Sequence, residues 1–147
     1  MDTLSAREDP FPARSRAATG QVHGIDTNVS VLEFSDKILL TVSQGGRLSQ
    51  WIQVPLVGTT AGVVNMSLPS MSSGLLPSTH LTPKTLLGGG GEERETLGQL
   101  YAAQLASHAS LKYPDERRIL VLGLGLEKVS GEREGFFDLL ELAQKVI

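Results

Sequence analysis

Apolar and polar side chains alternate along residues 27–57, and the predicted fold is built from this pattern. Ile38, Leu40 and Val42 share one side of an extended chain, while the residues between them share the other. This is the period-2 signature of a strand with at least one buried face. Two turn sequences divide the segment into three short strands, and the Gly-Gly pair at 45–46 favours a tight hairpin. The pattern therefore predicts a three-stranded meander.

The C-terminal half alternates helical and extended patterns. Residues 84–87 predict a short strand, and Glu92 opens a helix to about Ser110 with acidic residues in its first turn, where they suit the positive end of the helix dipole. Apolar residues on both faces of 118–126 predict a central strand covered on both sides. Its two glycines indicate that another element, most simply a helix, approaches closely. The periodicity of 130–147 predicts a final helix.

The order of these elements predicts an α+β fold. Strands come first and are followed by a helix, a strand and a helix, which favours helices packed on one face of a mostly antiparallel sheet. We expect about five or six strands with two main helices on one face. The other face is then available for dimerisation, because leucine-rich strands need a partner there.

Two segments depart from the alternation. Residues 1–20 are predicted to be a disordered N-terminal arm, since they offer too little apolar surface to offset the entropy of ordering. Residues 58–82 are rich in Gly, Ser, Thr and Pro and predict a long flexible loop. This loop is interpreted either as a tolerated surface insertion or as an arm that lays Met66 and Met71 on a partner. Residues 21–147 then form a single domain that contains the loop.

Composition narrows the class of protein. A chain of 147 residues suits one domain, and a net charge of -3 with pI ≈ 5.6 lacks the basic footprint of nucleic-acid binding. The absence of cysteine excludes disulfides, thiolate metal sites and cysteine nucleophiles. No apolar run is long enough to predict a membrane span. We expect a soluble, cytoplasmic protein, with the nucleus as a second location, that binds neither nucleic acid nor membrane.

Residues with potential enzyme chemistry do not form a recognisable catalytic set. Residues 88–91 precede a helix, as in a phosphate-binding loop, but Glu92 and Glu93 follow where such a loop needs Lys and Ser or Thr. The three histidines lack the spacing of metal ligands: His23, His80 and His108. We therefore predict no enzymatic activity, no cofactor and no metal site. The alternative is a small ligand-binding or regulatory module, with the Gly-rich loop and His108 lining a pocket.

Several short motifs stand in a defined order along the chain. In the N-terminal half they are Gly24-Ile25-Asp26-Thr27, Val29, Phe34-Ser35, Ile38-Leu39, Val42, Gln44 and Gly46. In the C-terminal half they are Thr85-Leu86-Leu87-Gly88, an acidic entry to a helix, the apolar strand Ile119 to Leu126, and a final helix that ends in apolar residues. In order and spacing these motifs resemble the proteasome assembly chaperone 3 family, over about residues 21–57 and 83–147. The arm 1–20 and the length of 58–83 depart from the family pattern.

The resemblance implies a small α+β protein without catalytic activity, which pairs with a related chaperone 4-type subunit. It also implies that this heterodimer binds α-type proteasome subunits, promotes formation of the α-ring of the core particle, and leaves as assembly proceeds. Some members of the family self-associate, so a homodimer of the isolated chain is a further expectation. A chaperone that departs suits an interface for which later subunits can compete.

Candidate partner-binding residues follow from predicted exposure. Trp51 is the sole tryptophan and lies beside Gln53 on a predicted strand, and aromatic anchors often dominate the energy of an interface. The alternative is that Trp51 belongs to the core. Arg47 at a predicted turn, with Met66 and Met71 in the predicted loop, completes the set.

Overall fold

The computed structural model describes residues 13–56, 81–88, 90–127 and 133–147, which contain six strands and two helices. The strands are β1 (Arg14–Val22), β2 (Ile25–Glu33), β3 (Lys37–Gln44), β4 (Gln50–Pro55), β5 (Lys84–Leu87) and β6 (Ile119–Gly125). The helices are α1 (Glu92–Lys112), between β5 and β6, and α2 (Arg133–Gln144). The predicted short strand, central strand and both helices are therefore present, with bounds that differ by a few residues.

All six strands join in one sheet, in the order β1-β2-β3-β6-β4-β5. The β3–β6 pair is parallel, and the other neighbouring strands run antiparallel. Both helices pack on one face, where α1 contacts β4, β5 and β6, α2 contacts β1 and β2, and the helices touch each other. The predicted α+β class is confirmed, with a mostly antiparallel sheet and two helices on one of its faces.

The predicted meander is wrong at its third strand. β2 and β3 form a hairpin, but β6 lies between β3 and β4. Gly45 and Gly46 do turn the chain, each with a positive φ. Residues 47–49 then cross the end of β6, where Ser49 donates a backbone hydrogen bond of 3.0 Å to the Leu124 carbonyl. Burial explains this order, because β6 is apolar on both faces and loses most contact with water in the middle of the sheet.

Residues 14–20 are ordered as part of β1, so the predicted disorder is wrong for this part of the arm. β1 pairs with β2 along its whole length without a register shift, and His23 and Gly24, both with positive φ, form the turn between the strands. On the helix side, Leu142 of α2 lies 3.0 Å from the position that a Cβ of Gly20 would take. The polar composition of the segment did not predict this order, because contacts with residues distant in sequence supply the stabilisation.

Three predictions concern residues that the structure does not describe. They are the rest of the predicted arm (1–12), nearly all of the predicted loop 58–82 with Met66 and Met71, and the start of the last helix at Ser130.

The core lies between the sheet and the helices. Every second side chain of the inner strands faces the helices and is buried, as in Leu40, Leu122 and Ile52. Tyr101 of α1 stacks on Phe136 of α2 with ring centroids 4.7 Å apart, which joins the two helices. Burial raises the pKa of Tyr101 to about 12. The core is thus one-sided, and the side chains between these buried positions point to the opposite face of the sheet.

Candidate protein-binding surface

The face of the sheet opposite the helices is the candidate site, and we call it the helix-free face. Its central members are Ser30, Leu32, Leu39, Thr41, Ser43, Trp51, Gln53, Ile119, Val121, Gly123 and Gly125. The two glycines are buried and the other nine residues are half-buried, although neither described helix lies on this face. Apolar surface that a protein leaves without a covering element is typical of a site for another protein.

Strand register gathers aliphatic side chains at one end of the helix-free face. Leu32 lies beside Leu39, and Leu39 lies beside Val121. Ile119 precedes Val121 by two residues on β6 and therefore points to the same side. We call these four residues the apolar strip. It crosses three adjacent strands, and covering it would contribute about 25 cal/mol for each Å² of apolar surface removed from water.

The other end of the helix-free face is more polar and carries smaller side chains. Ser30 and Thr41 are neighbours on β2 and β3, with hydroxyl oxygens 2.5 Å apart. On β6, Gly123 lies beside Thr41 and Gly125 lies beside Ser43. This end of the face therefore presents hydroxyl groups instead of aliphatic side chains.

Trp51 lies on β4 beside Gly123, and its ring covers that glycine. A Cβ at Gly123 would lie 2.9 Å from Cζ3 of Trp51, and a Cβ at Gly125 would overlap the carbonyl oxygen of Arg47. The close approach predicted from these glycines is therefore made by an indole ring and by a backbone crossing, and the prediction of a helix there is wrong. Trp51 stands on the helix-free face, outside the core cluster.

The structure brings three of the five predicted partner-binding residues to one side of the sheet. Trp51 and Gln53 lie on the helix-free face of β4, and the exposed Arg47 lies on the crossing at its rim. Met66 and Met71 are outside the described residues. The prediction missed the apolar strip, although the alternation that placed Trp51 opposite Ile52 also places Leu39 opposite Leu40.

An ion cluster fixes the end of the sheet that carries the apolar strip. Arg118 donates to Glu116 through Nε at 2.8 Å and Nη2 at 2.7 Å, and to Glu33 of β2 through Nη2 at 3.1 Å. Its Nη1 donates to the carbonyl oxygen of Phe34 at 3.0 Å. The side-chain hydrogen bond from Arg118 is the largest cause that lowers the pKa of Glu116 to about 2. The cluster ties the β2–β3 hairpin to β6 and so positions the strands of the surface.

The separation between the Gly-rich loop and His108 argues against the pocket that a ligand-binding module would need. The Gly-rich loop precedes α1, whereas His108 lies 17 residues after Gly91 along the chain, which corresponds to about 25 Å of helix. Gly88, with φ 79, packs against the backbone of Ser49. Burial and the neighbouring Lys112 lower the pKa of His108. The loop and the histidine therefore belong to opposite ends of α1 and do not line one site.

Metal sites and membrane-spanning helices are both absent from the part of the chain that the structure describes. No group of three or more His, Asp or Glu side chains there is arranged to hold a metal ion. Neither helix is both long and apolar enough to cross a bilayer.

Comparisons with known proteins identify the fold. No protein-family model and no curated protein matches the chain, but five chains of solved structures do. One of them belongs to a novel chaperone complex for yeast 20S proteasome assembly, with a TM-score of 0.64, 12% sequence identity, and coverage of 90% of this chain and 97% of that chain. The chain is therefore similar in fold to a chaperone. More narrowly, it is similar in fold to one chain of a complex for proteasome assembly.

Proposed function

We propose that the chain is a non-catalytic chaperone of proteasome core-particle assembly. It pairs with a related chaperone 4-type subunit, and the pair binds α-type proteasome subunits and promotes formation of the α-ring. One observation carries the proposal: an apolar strip on a helix-free face, in a fold similar to that of a yeast 20S proteasome assembly chaperone.

The helix-free face is the proposed pairing surface. Two sheets can pack face to face about 10 Å apart, with the side chains of their inner faces interdigitated. The apolar strip supplies the aliphatic part of such a layer, and the Trp51 ring supplies a large anchor beside it. The side chains of Ser30 and Thr41 are small and leave room for side chains of the partner. Such a face suits a partner of the same fold, because that partner presents a sheet of similar dimensions.

Pairing by this face leaves the helices, the sheet edges and the connecting loops exposed to α-type subunits. An assembly factor that leaves needs contacts of moderate size, which later subunits can replace. The proposed location is the cytoplasm, with the nucleus as a second location.

Affinity purification of the tagged chain from a eukaryotic lysate, read by mass spectrometry, tests the proposal. We expect a small companion protein and α-type proteasome subunits, without mature β-type subunits. Recovery of no α-type subunit at matched expression would contradict the proposed function.

Two variants connect the result with the surface. Leu39→Lys places a charge in the apolar strip, and we expect it to lose the companion protein. Phe137→Ala, a matched control, removes an exposed apolar side chain from α2, and we expect it to retain the companion. Both variants should first show cooperative thermal unfolding close to that of the wild type. Equal recovery from the two folded variants would exclude the helix-free face as the pairing surface.

A further inference from the structure

The two edges of the sheet differ in how open they are to another strand. β5 has four residues, follows Pro83, begins at Lys84 and has a register shift in its pairing with β4. Short length, proline, lysine and irregular pairing all protect an edge strand. β1 has nine residues without lysine or proline and pairs regularly with β2. No described strand pairs with its outer side, so β1 is a template for an added strand.

The outward backbone groups of β1 follow from its turn. Val22 and Ile25 flank the two-residue turn and form its closing pair. Because hydrogen-bonding direction alternates along an antiparallel strand, Ala17, Thr19 and Gln21 direct their backbone groups away from β2. The middle of the strand, residues 17–20, carries only small side chains, which do not obstruct an approaching backbone.

One end of this edge is acidic. α2 runs antiparallel to β1, because Leu142 packs on Gly20 while the Val146 carbonyl accepts a hydrogen bond of 2.6 Å from Nε of Arg16. Asp138 is one helical turn before Leu142 and lies on the same side of α2, which places it towards the turn end of β1. The exposed Glu141 lies on the neighbouring part of that side.

The other end of the edge is basic. Arg14 and Arg16 are exposed at the start of β1, and the exposed Lys145 is adjacent to Val146. The acid at this end, Glu33, already pairs with Arg118 at 3.1 Å and with Arg16 at 3.5 Å. Within the described residues, Arg14, Lys145 and the two acids of α2 form no ion pair, so their charges are available to a partner.

We propose that a second copy of this chain adds to β1 in antiparallel orientation, about a two-fold axis near Ala18, so that the two sheets become one. In this arrangement Arg14 of one copy lies opposite Val22 of the other, close to Asp138. The two-fold axis repeats this pairing of opposite charges, so the acidic end of each β1 edge lies beside the basic end of the other copy. Parallel pairing would instead set Arg14 beside its own counterpart, which like-charge repulsion disfavours.

This surface is distinct from the helix-free face, so the inference does not depend on the proposed function. An edge contact continues the sheet in its own plane and leaves the helix-free face of each copy open. A homodimer through β1 and a heterodimer through the helix-free face are therefore compatible in one assembly.

The test is sedimentation velocity of the purified full chain across a concentration series. We expect a monomer–dimer equilibrium. Thr19→Pro removes an outward N–H at a position where an edge strand tolerates proline. It should raise the dissociation constant by roughly thirtyfold, because symmetry removes two hydrogen bonds worth about a factor of five each. Lys84→Glu, on the opposite edge, is the control and should leave the dissociation constant unchanged.

A charge exchange tests the register without relying on proline. Arg14→Glu and Asp138→Arg should each weaken dimerisation by about tenfold, and the double variant should recover most of the loss. Dimerisation should persist in Trp51→Ala. A chain that stays monomeric at every concentration would overturn the proposal. A dimer that is lost in Trp51→Ala but kept in Thr19→Pro would also overturn it, because self-association would then use the helix-free face.

Discussion

The two faces of the sheet are made by the same strands and yet meet different surroundings. Leu40 of β3 faces the helices and is 0% exposed, whereas its neighbour Leu39 faces the other side and is half-buried. Ile52 and Trp51 repeat the contrast on β4. Because successive side chains of a strand alternate between faces, one sequence segment supplies both a core and a surface for a partner. The difference predicts that substitutions on one face change folding and those on the other change pairing.

We expect the largest difference between the two faces at the neighbouring leucines of β3. Leu40→Ala should lower the free energy of unfolding by about 3 kcal/mol, because it leaves a cavity in the core. Leu39→Ala should lower it by about 1 kcal/mol or less, since neither of the two described helices covers that side chain. Chemical denaturation of the isolated variants measures both values. Equal losses would mean that the helix-free face is part of the folding core.

Substitution of Trp51 tests whether the helix-free face is the pairing surface. Trp51→Ala should weaken pairing by about 2 kcal/mol or more, because it removes a large aromatic anchor near the centre of the helix-free face. Titration calorimetry with the purified companion subunit measures the affinity, with Phe137→Ala as the control from the helix side. If Trp51→Ala instead abolishes cooperative unfolding of the isolated chain, the residue acts as a core tryptophan.

Acid should weaken the Arg118 ion cluster, which ties the β2–β3 hairpin to β6 at one end of the sheet. The pKa of Glu116 is lowered from 4.5 to about 2 in the folded chain. Its contribution to stability is therefore fully present above pH 4.5 and is lost as the pH falls from there towards 2. We expect a loss of about 1 to 2 kcal/mol, with screening by solvent allowed for. Unfolding free energies of the wild type should fall more steeply over this range than those of Glu116→Gln.

Leu87 lies at the rim of the helix-free face, and its substitution should have the smallest effect on pairing. It lies beside Trp51 on the edge strand and is 67% exposed. Leu87→Ser should weaken pairing by less than about 1 kcal/mol and leave folding within about 0.5 kcal/mol, because contacts open to water contribute little. The same calorimetric titration used for Trp51 would detect the difference. A loss as large as that of Trp51→Ala would place the centre of the interface at the β5 edge.

Local sequence patterns predicted most of the strands and helices, and the part of the helix-free face that lies on β4. Alternation placed Trp51 and Gln53 opposite Ile52, and the structure agrees. Helical periodicity and the acidic first turn located α1 from Glu92 onward. These predictions succeeded because strand alternation and helix dipole effects act over a few neighbouring residues. The partner-binding role of these residues stays a prediction.

Predictions that needed information about distant residues failed. The predicted meander puts β4 beside β3, and the two glycines of β6 predict a helix contact. The composition of residues 14–20 predicts disorder, although β1 is regular. In each case the deciding contact joins residues far apart in the chain: Gly123 with Trp51, or Gly20 with Leu142.

Local sequence patterns are enough to specify an α+β domain with strands of alternating polarity, an apolar central strand and two helices. Long-range packing is needed to place β6 between β3 and β4, to order β1 at an edge, and to bring the apolar strip to the same face as Trp51. The physical reason is that strand order is set by the total apolar surface the sheet buries, which depends on all the strands at once.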